Sequence, residues 1–295
     1  MIYVADGGGY IGRELVKRLA AAGQQIRALV ANAEEARIVE GPNTEVVLGD
    51  RERPETFAHT LAGAEVAVLI TRHVTSLFEL EAAFINAAQA AGVGRIVKSS
   101  AFNASLDQQG AKLLHAKSEQ AIRQSGMTWT FLRPQFFMQN MLWFADEIKT
   151  KGTFSLNMKS GRVGMIDYRD IAAVAAKCVT EAGHEGRIYN LSGPETISMQ
   201  DIAASLSRAV GTTIRYNDIS AEEFQRYLIA MGWSAWHAEV MTRSYAGMSQ
   251  GASAIVTDDV QRLLGRKATA FDQVAKDYAR FFMPDGPRAT LTSYK

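Results

Sequence analysis

Residues 2–12 read Ile2-Tyr3-Val4-Ala5-Asp6-Gly7-Gly8-Gly9-Tyr10-Ile11-Gly12. The first four residues form a short β-rich run, and the glycines that follow are typical of a tight turn. After the turn, Ile11, Leu15, Val16 and Leu19 recur at spacings of three and four, which predicts an amphipathic helix. A strand, a glycine turn and a helix in this order indicate an α/β fold whose first helix directs its N-terminus at an anion.

The same alternation of strand and helix continues along the first half of the chain. Further strands are predicted at 25–30, 44–48, 65–70, 95–99 and 128–132, and helices at 34–40, from Pro54, around 78–87 and at 112–124. Strictly alternating β and α units imply a parallel sheet, because each crossover returns the chain to the same end of the sheet. We therefore predict a doubly wound, Rossmann-type α/β domain.

The second half of the chain is less regular. An Ala-rich helix is predicted at 170–180 and a strand at 187–191, which we expect to return to the main sheet. Two capping boxes, at Ser198 and Ser220, predict helix starts, and Thr257 precedes another. The expected division is a dinucleotide-binding domain over 1–134, joined by strand 187–191, and a smaller, mainly helical substrate or lid lobe formed by 135–186 and 192–295.

The composition narrows the class of protein. The chain has 295 residues, of which 47% are hydrophobic and 21% charged, as in ordinary globular proteins. A formal charge of +1 argues against a nucleic-acid-binding face. The single cysteine, Cys178, lies in an apolar run typical of a buried core position. We expect a cytoplasmic protein with a small-molecule substrate, no membrane segment and no metal site, and the sequence leaves a homodimer open.

The glycine turn departs from its usual pattern at one position. In the spacing G-x-x-G-x-x-G, Gly9 and Gly12 fit, and Asp6 stands where the first glycine belongs. A carboxylate about 4 Å from a phosphate charge would cost about 4 kcal/mol at an effective dielectric near 20. Two interpretations are open: Asp6 adopts left-handed backbone angles and turns its side chain away, or it weakens or alters a dinucleotide site.

The end of the second strand normally selects between the two nicotinamide dinucleotides. An acidic residue there binds the ribose 2′-hydroxyl, and an arginine accepts a 2′-phosphate. Here the strand ends in Val30-Ala31-Asn32, which offers neither, and Arg37 would reach the site only from a favourably oriented helix. The sequence predicts NAD(P) and leaves the preference unresolved.

With these elements placed, the chain resembles the NmrA-like branch of the atypical short-chain dehydrogenases/reductases. This branch includes quinone oxidoreductases and reductases of triphenylmethane and azo dyes. The resemblance covers nearly the whole length. It rests on the glycine turn and on the stretches 48–50, 87–93, 96–101, 129–140, 182–186 and 256–259.

The resemblance implies roles for particular residues. The pyrophosphate would lie on Gly9, Tyr10, Ile11 and Gly12, with Asp6 and Asn32 beside the dinucleotide and Asp50 near the adenine. Thr71 and Arg72 would border the ribose on the nicotinamide side. The reaction centre would be lined by Ser100, Ala101 and Phe102, and the substrate pocket by Phe136, Phe137 and Asn140. Three positions depart from the family: Asp6 replaces a glycine, Ala31 an arginine and Glu35 a lysine.

Candidates for proton transfer lie on the helix before the sixth strand. The Tyr-x-x-x-Lys pair of the short-chain dehydrogenases proper is absent from the corresponding place. The catalytic candidates are His115, Lys117 and Glu119. Helical spacing puts His115 and Glu119 on one face, as a proton-handling pair, and turns Lys117 away from it. A surface helix with ordinary charges is the alternative. Trp233, near Trp236 and His237, either packs in the core or covers an aromatic substrate.

Three functions are consistent with these observations. The leading hypothesis is an NAD(P)-dependent oxidoreductase that transfers a hydride to a quinone-like or other conjugated aromatic acceptor. The first alternative is a dinucleotide-sensing or scaffold protein without turnover, suggested by the missing tyrosine pair. The second is a non-redox enzyme that reuses the cleft, suggested by Asp6.

Overall fold

The structure is a computed structural model that describes residues 1–71 and 74–288. The chain divides into two compact units. The first comprises Met1–Pro134, Tyr168–Leu191 and Arg262–Gly265. The second comprises Gln135–Asp167, Ser192–Gln261 and the described part of Arg266–Lys295.

The strands follow the sequence predictions closely in the first half of the chain. They are β1 (Ile2–Val4), β2 (Ile26–Val30), β3 (Thr44–Leu48), β4 (Val66–Leu69), β5 (Arg95–Ser99), β6 (Thr128–Pro134), β7 (Thr153–Leu156), β8 (Arg162–Val163), β9 (Arg187–Leu191), β10 (Ile197–Ser198) and β11 (Arg215–Asp218).

The α-helices alternate with the strands and then dominate the second half. They are α1 (Tyr10–Ala21), α2 (Ala33–Val39), α3 (Leu77–Ala90), α4 (Ala111–Gln124), α5 (Ala145–Lys151), α6 (Tyr168–Thr180), α7 (Met199–Val210), α8 (Ala221–Ala230), α9 (Ala235–Ser249), α10 (Asp259–Leu264) and α11 (Phe271–Asp277). At Pro54, where the sequence predicts a helix, the chain forms a 3₁₀ turn, Pro54–Thr56.

The first unit is built on a seven-stranded parallel sheet with the order β3-β2-β1-β4-β5-β6-β9. Strand β1 is central, since Ile2 is in register with Ile26 of β2 on one side and with Val66 of β4 on the other. The order reverses at β1, so the carboxyl end of this strand is the topological switch point of a doubly wound sheet, where such folds bind ligands. The predicted fold class is confirmed.

Helix α6 belongs to the first unit, which corrects the expected boundary at 186. The sequence predicts residues 168–186 to be part of the second lobe. In the structure α6 packs against α1, and the Tyr168 ring lies 5.4 Å from that of Tyr10. The reason is the broad apolar face of this Ala-rich helix, which contains Cys178 and is buried against the sheet and α1. Burial also raises the pKa of the Cys178 thiol to about 12.

The second unit has its own hydrophobic core. Its helices α5, α7, α8, α9 and α11 surround buried aromatic side chains, among them Phe144, Phe154 and Phe224. The unit also contains two small two-stranded sheets, in which β10 pairs with β8 and β11 pairs with β7. The predicted capping boxes at Ser198 and Ser220 are present. In the described part of the chain, none of the helices combines the length and the hydropathy needed to cross a membrane.

Candidate functional site

The glycine turn lies at the switch point, between β1 and α1. A Cβ at Gly12 would overlap the carbonyl oxygen of Asp6, and a Cβ at Gly7 would lie 2.9 Å from that of Ala28. The described glycines with positive φ do not include Gly7, Gly9 or Gly12, so close approach, not backbone angle, is what requires glycine here. Helix α1 begins after Gly9, which provides no side-chain cap, and its first turn contains no acidic residue. The helix N-terminus is therefore suited to an anion.

Asp6 is buried and paired with an arginine. The residue is 4% exposed, and its carboxylate forms an ion pair with the guanidinium of Arg51, which follows β3. The Asp6 carboxylate lies over Gly9, where a Cβ would run into it. Among the described non-glycine residues, positive φ angles occur at Asn43, Asn103 and Lys159, and not at Asp6. The interpretation that Asp6 adopts left-handed backbone angles is therefore wrong. The side chain does not turn away either, because the ion pair with Arg51 holds it beside the turn.

Glu35, in the first turn of α2, brings an acidic side chain to the glycine turn, a placement that is not among the predictions from the sequence. Asn32 caps α2 by accepting a hydrogen bond from the amide of Glu35 at 2.9 Å. The Glu35 carboxylate reaches back and accepts a hydrogen bond from the amide of Ala31 at 2.9 Å. A Cβ at Gly8 would overlap this carboxylate. The spacing Asn32-x-x-Glu35 is that of a capping box, and this signal could have placed Glu35 near the turn.

Two more predicted residues follow neighbouring strands. Asp50, after β3, accepts hydrogen bonds from the amide of Glu52 at 2.9 Å and the Nε of Arg53 at 3.0 Å. The amide of Glu52 is the main cause that holds the pKa of the Asp50 carboxyl below its usual value. Thr71 follows β4 and is half-buried, while Arg72 lies outside the described residues.

The loop after β5 is anchored through Ser100. The Ser100 hydroxyl donates to Oε1 of Glu119 at 2.7 Å, and its amide donates to the carbonyl of Leu132 at 2.7 Å. The amide of Phe102 donates to the carbonyl of Pro134 at 3.1 Å. Ser100 and Phe102 are buried and Ala101 is half-buried, so this loop has a fixed conformation at the carboxyl edge.

Glu119 is the centre of an ion-pair network that joins α4 to β6. Arg133 contacts it with two nitrogens, Nε to Oε1 at 2.9 Å and Nη2 to Oε2 at 2.6 Å. Arg123 adds a contact to Oε2 at 3.3 Å. The Glu119 side chain is 1% exposed. Both carboxylate oxygens thus accept hydrogen bonds from cationic side chains, which are stronger than hydrogen bonds between neutral groups.

His115 lies on the same buried face of α4 but contacts a different group. Its Nδ1 is 3.2 Å from Nζ of Lys98, whose side chain is fully buried and also pairs with Glu81 of α3. Because an ammonium only donates, Nδ1 is the acceptor, and we assign a neutral imidazole with its proton on Nε2. His115 and Glu119 therefore share a face as predicted but are held by separate partners. Lys117 is exposed and lies over the ring of Phe78, 5.8 Å from its centroid.

The predicted substrate residues lie in the second unit. Phe136 packs edge-on against Tyr245, with ring centroids 5.1 Å apart, and against Trp143. Trp233 is 7% exposed and packs edge-on against Trp143 at 4.9 Å, as expected for a core residue. Phe137 and Asn140 are half-buried at the start of the 3₁₀ segment Met138–Phe144.

Comparison with known proteins adds a consistent set of relatives. A profile of the NmrA-like family matches residues 1–270. An NAD(P)H azoreductase of Xenophilus azovorans is 37% identical over 285 residues, covering 96% of this chain and 99% of the relative. A (4-alkanoyl-5-oxo-2,5-dihydrofuran-3-yl)methyl phosphate reductase of Streptomyces griseus is 35% identical, covering 97% of this chain and 100% of the relative.

A solved structure shares the fold over nearly the full length. It is that of an NADPH-dependent quinone oxidoreductase from Escherichia coli in complex with NADPH. The TM-score is 0.85 and the sequence identity 26%, with 94% of this chain and 99% of the other covered.

Proposed function

Since this chain belongs to the NmrA-like family, we propose that it is an NAD(P)H-dependent reductase that transfers a hydride to a quinone-like or other conjugated acceptor. The observation that carries the proposal is the glycine turn at the switch point, with the uncapped N-terminus of α1 behind it. The relatives named as azoreductase and quinone oxidoreductase favour turnover over a sensing or scaffold role.

The residues at the carboxyl edge fit a nicotinamide dinucleotide. Gly12 lets α1 start in close contact with the Asp6 carbonyl, and the start of α1 has no side-chain cap and no acidic residue in its first turn, as suits a pyrophosphate. Arg51 compensates the charge of Asp6, so the carboxylate beside the turn does not act as an isolated negative charge. We assign Asp50 and Thr71 to the edges of the same site, after β3 and β4.

The chain's own contribution to the reaction is positioning and proton supply. When bound, the reduced nicotinamide supplies the hydride, and the acceptor takes up that hydride with a proton. The hydrogen bonds of Ser100 fix the loop after β5, which we propose lines the reaction centre together with Ala101 and Phe102. His115 is the candidate donor of the proton: Nε2 gives up its proton while Nδ1 takes one from the Lys98 ammonium, so the imidazole stays neutral.

Acceptor assays on the full chain test this proposal. The protein is supplied with NADH or NADPH and a panel of quinones, azo dyes and triphenylmethane dyes, and loss of reduced cofactor is followed together with the reduced product. We expect Gly12→Ala to abolish turnover, because its Cβ would meet the Asp6 carbonyl. Gly41→Ala is the matched control, since a Cβ at Gly41 has nothing within 4 Å. Gly9→Ala, whose Cβ meets only a side chain, covers the case in which Gly12→Ala fails to fold.

Two results would reject this function. Binding of a dinucleotide to the folded chain without reduction of any acceptor would favour a sensing or scaffold protein. No binding of either dinucleotide would favour a non-redox use of the fold. A cytoplasmic location and assembly as a monomer or homodimer are also part of the proposal, and cell fractionation and light scattering test them.

A further inference from the structure

Glu35 occupies the corner between the end of β2 and the glycine turn. Its amide donates to Oδ1 of Asn32, and its Oε2 accepts from the amide of Ala31, both at 2.9 Å. The side chain also fills the space beside Gly8 that a Cβ would need. The Asn32 cap thus fixes the backbone of Glu35, the Ala31 amide holds its carboxylate, and the side chain is part of the wall of the proposed cofactor site.

This corner is where the adenosine ribose of a dinucleotide lies in a Rossmann fold. An acidic side chain at the end of the second strand accepts a hydrogen bond from the ribose 2′-hydroxyl, and it repels a 2′-phosphate. A carboxylate has about four lone-pair sites, so the Glu35 side chain can accept from a ribose hydroxyl as well as from the Ala31 amide. A 2′-phosphate is negatively charged and accepts hydrogen bonds, so the Glu35 carboxylate at this corner would repel it and could not donate to it.

Two nearby arginines, Arg51 and Arg37, do not make this corner favourable for a 2′-phosphate. Arg51 would be the natural partner of a 2′-phosphate, but its guanidinium pairs with Asp6 and is largely buried. Arg37 is exposed in the last turn of α2, and two positions along a helix from Glu35 it does not share the face of Glu35. Glu34, next to Glu35, adds a further negative charge to the first turn of α2.

We infer that this chain prefers NADH to NADPH and that Glu35 is the residue that determines this specificity. The inference rests on the proposed function for the identity of the ligand, and it sets this chain apart from the structural relative solved with NADPH. The inferred preference for NADH depends on the position of one carboxylate and requires no change in the fold.

Binding measurements on the full chain test the inference without relying on turnover. Titration calorimetry gives the Kd of NADH and NADPH, and of 5′-ADP and adenosine 2′,5′-bisphosphate as fragments. We expect NADH to bind at least about tenfold more tightly than NADPH, the effect of a modest charge repulsion. Glu35→Gln keeps an oxygen for the Ala31 amide and removes the charge, so the ratio of the two Kd values should fall towards one.

Glu34→Gln is the matched control, because it removes the neighbouring charge from the same helix turn. It should leave most of the preference for NADH. Tighter binding of NADPH by the native chain, or an unchanged ratio in Glu35→Gln, would overturn the inference. Failure to bind either dinucleotide would overturn it together with the proposed function. A preference for NADH without reduction of any acceptor would reject the proposed reaction and leave the role of Glu35 standing.

Discussion

The carboxylate of Asp6 and the guanidinium of Arg51 form a buried ion pair beside Gly9, at the start of α1. An isolated carboxylate about 4 Å from a phosphate would oppose binding by about 4 kcal/mol at an effective dielectric near 20. The arginine supplies a compensating charge at the same place. The replacement of the family's first glycine by Asp6 is therefore matched by Arg51, after β3.

This pairing predicts opposite behaviour of two variants. Arg51→Met leaves Asp6 uncompensated beside the turn, and we expect dinucleotide binding to weaken by about two to three decades. Asp6→Gly removes the charge and should bind at least as tightly as the native chain. The double variant should recover most of the loss, since the two residues are coupled. Calorimetric Kd values for all four proteins measure this coupling.

Arg53→Met is the control for the arginine, because Arg53 lies in the same loop and pairs with Asp50 at an exposed position. Its Kd should stay close to that of the native chain. Equal affinities of Arg51→Met and the native protein would show that the ion pair has no influence on the ligand.

Glu119 is expected to be important for stability. Its carboxylate is buried and joins Arg133, Arg123 and Ser100. Removing one partner of a buried pair leaves the other charge uncompensated, so Glu119→Ala should lower the free energy of unfolding by about 3 kcal/mol or more. Urea unfolding checks this, with Gln120→Ala, at an exposed position of the same helix, as the control. A loss below about 1 kcal/mol would place this pair among ordinary surface pairs.

His115 is expected to affect the reaction more than the fold. Its Nδ1 faces Lys98, so Nε2 carries the proton that we assign to the acceptor. His115→Gln should lower kcat by about a hundredfold, the lower end for loss of a general acid, and should leave KM for the dinucleotide little changed. Stopped-flow measurement of hydride transfer across pH separates this step from product release. A change in KM alone, with kcat preserved, would assign His115 a packing role.

The sequence predicted the sheet well because its strands are short apolar runs bounded by turn residues. Strand β2 is an example, since four of its five residues are buried and the run is too short for a typical buried helix. The place of the glycine turn between β1 and α1 follows from the motif itself, because strand, turn and helix are adjacent in the sequence. The pairing of Asp6 with Arg51 joins the ends of two different strands, and no local spacing encodes it.

Other features of the site depend on tertiary burial. Lys98 reads as a polar residue in a strand, and only the packing of α3 and α4 shows that it is buried against Glu81 and His115. Trp233 could not be assigned to core or lid because aromatic residues serve in both, and its contact with Trp143 arises in the folded second unit.

The capping box at the start of α7 predicts a pH-dependent contribution to stability. The Asp201 carboxylate accepts from the amide of Ser198 at 2.9 Å, and the amide of Asp201 donates to the Ser198 hydroxyl at 3.1 Å. The amide of Ser198 is the main cause that lowers the pKa of Asp201. A carboxyl whose pKa is lower in the folded state stabilises the fold above its unfolded pKa, near 3.9, and this contribution is lost as the pH falls through the folded value. Asp201→Asn should therefore be less stable than the native chain at pH 7, and the gap should close in acid.

Ser198→Ala provides the comparison, because it removes the other half of the same box without removing a titrating group. It should cost about 1 kcal/mol, as for other N-cap serines, with much less change of that cost between neutral and acid pH. Urea unfolding of the three proteins at several pH values measures both effects. A gap between Asp201→Asn and the native chain that stayed constant down to acid pH would contradict the assignment of the lowered pKa to this hydrogen bond.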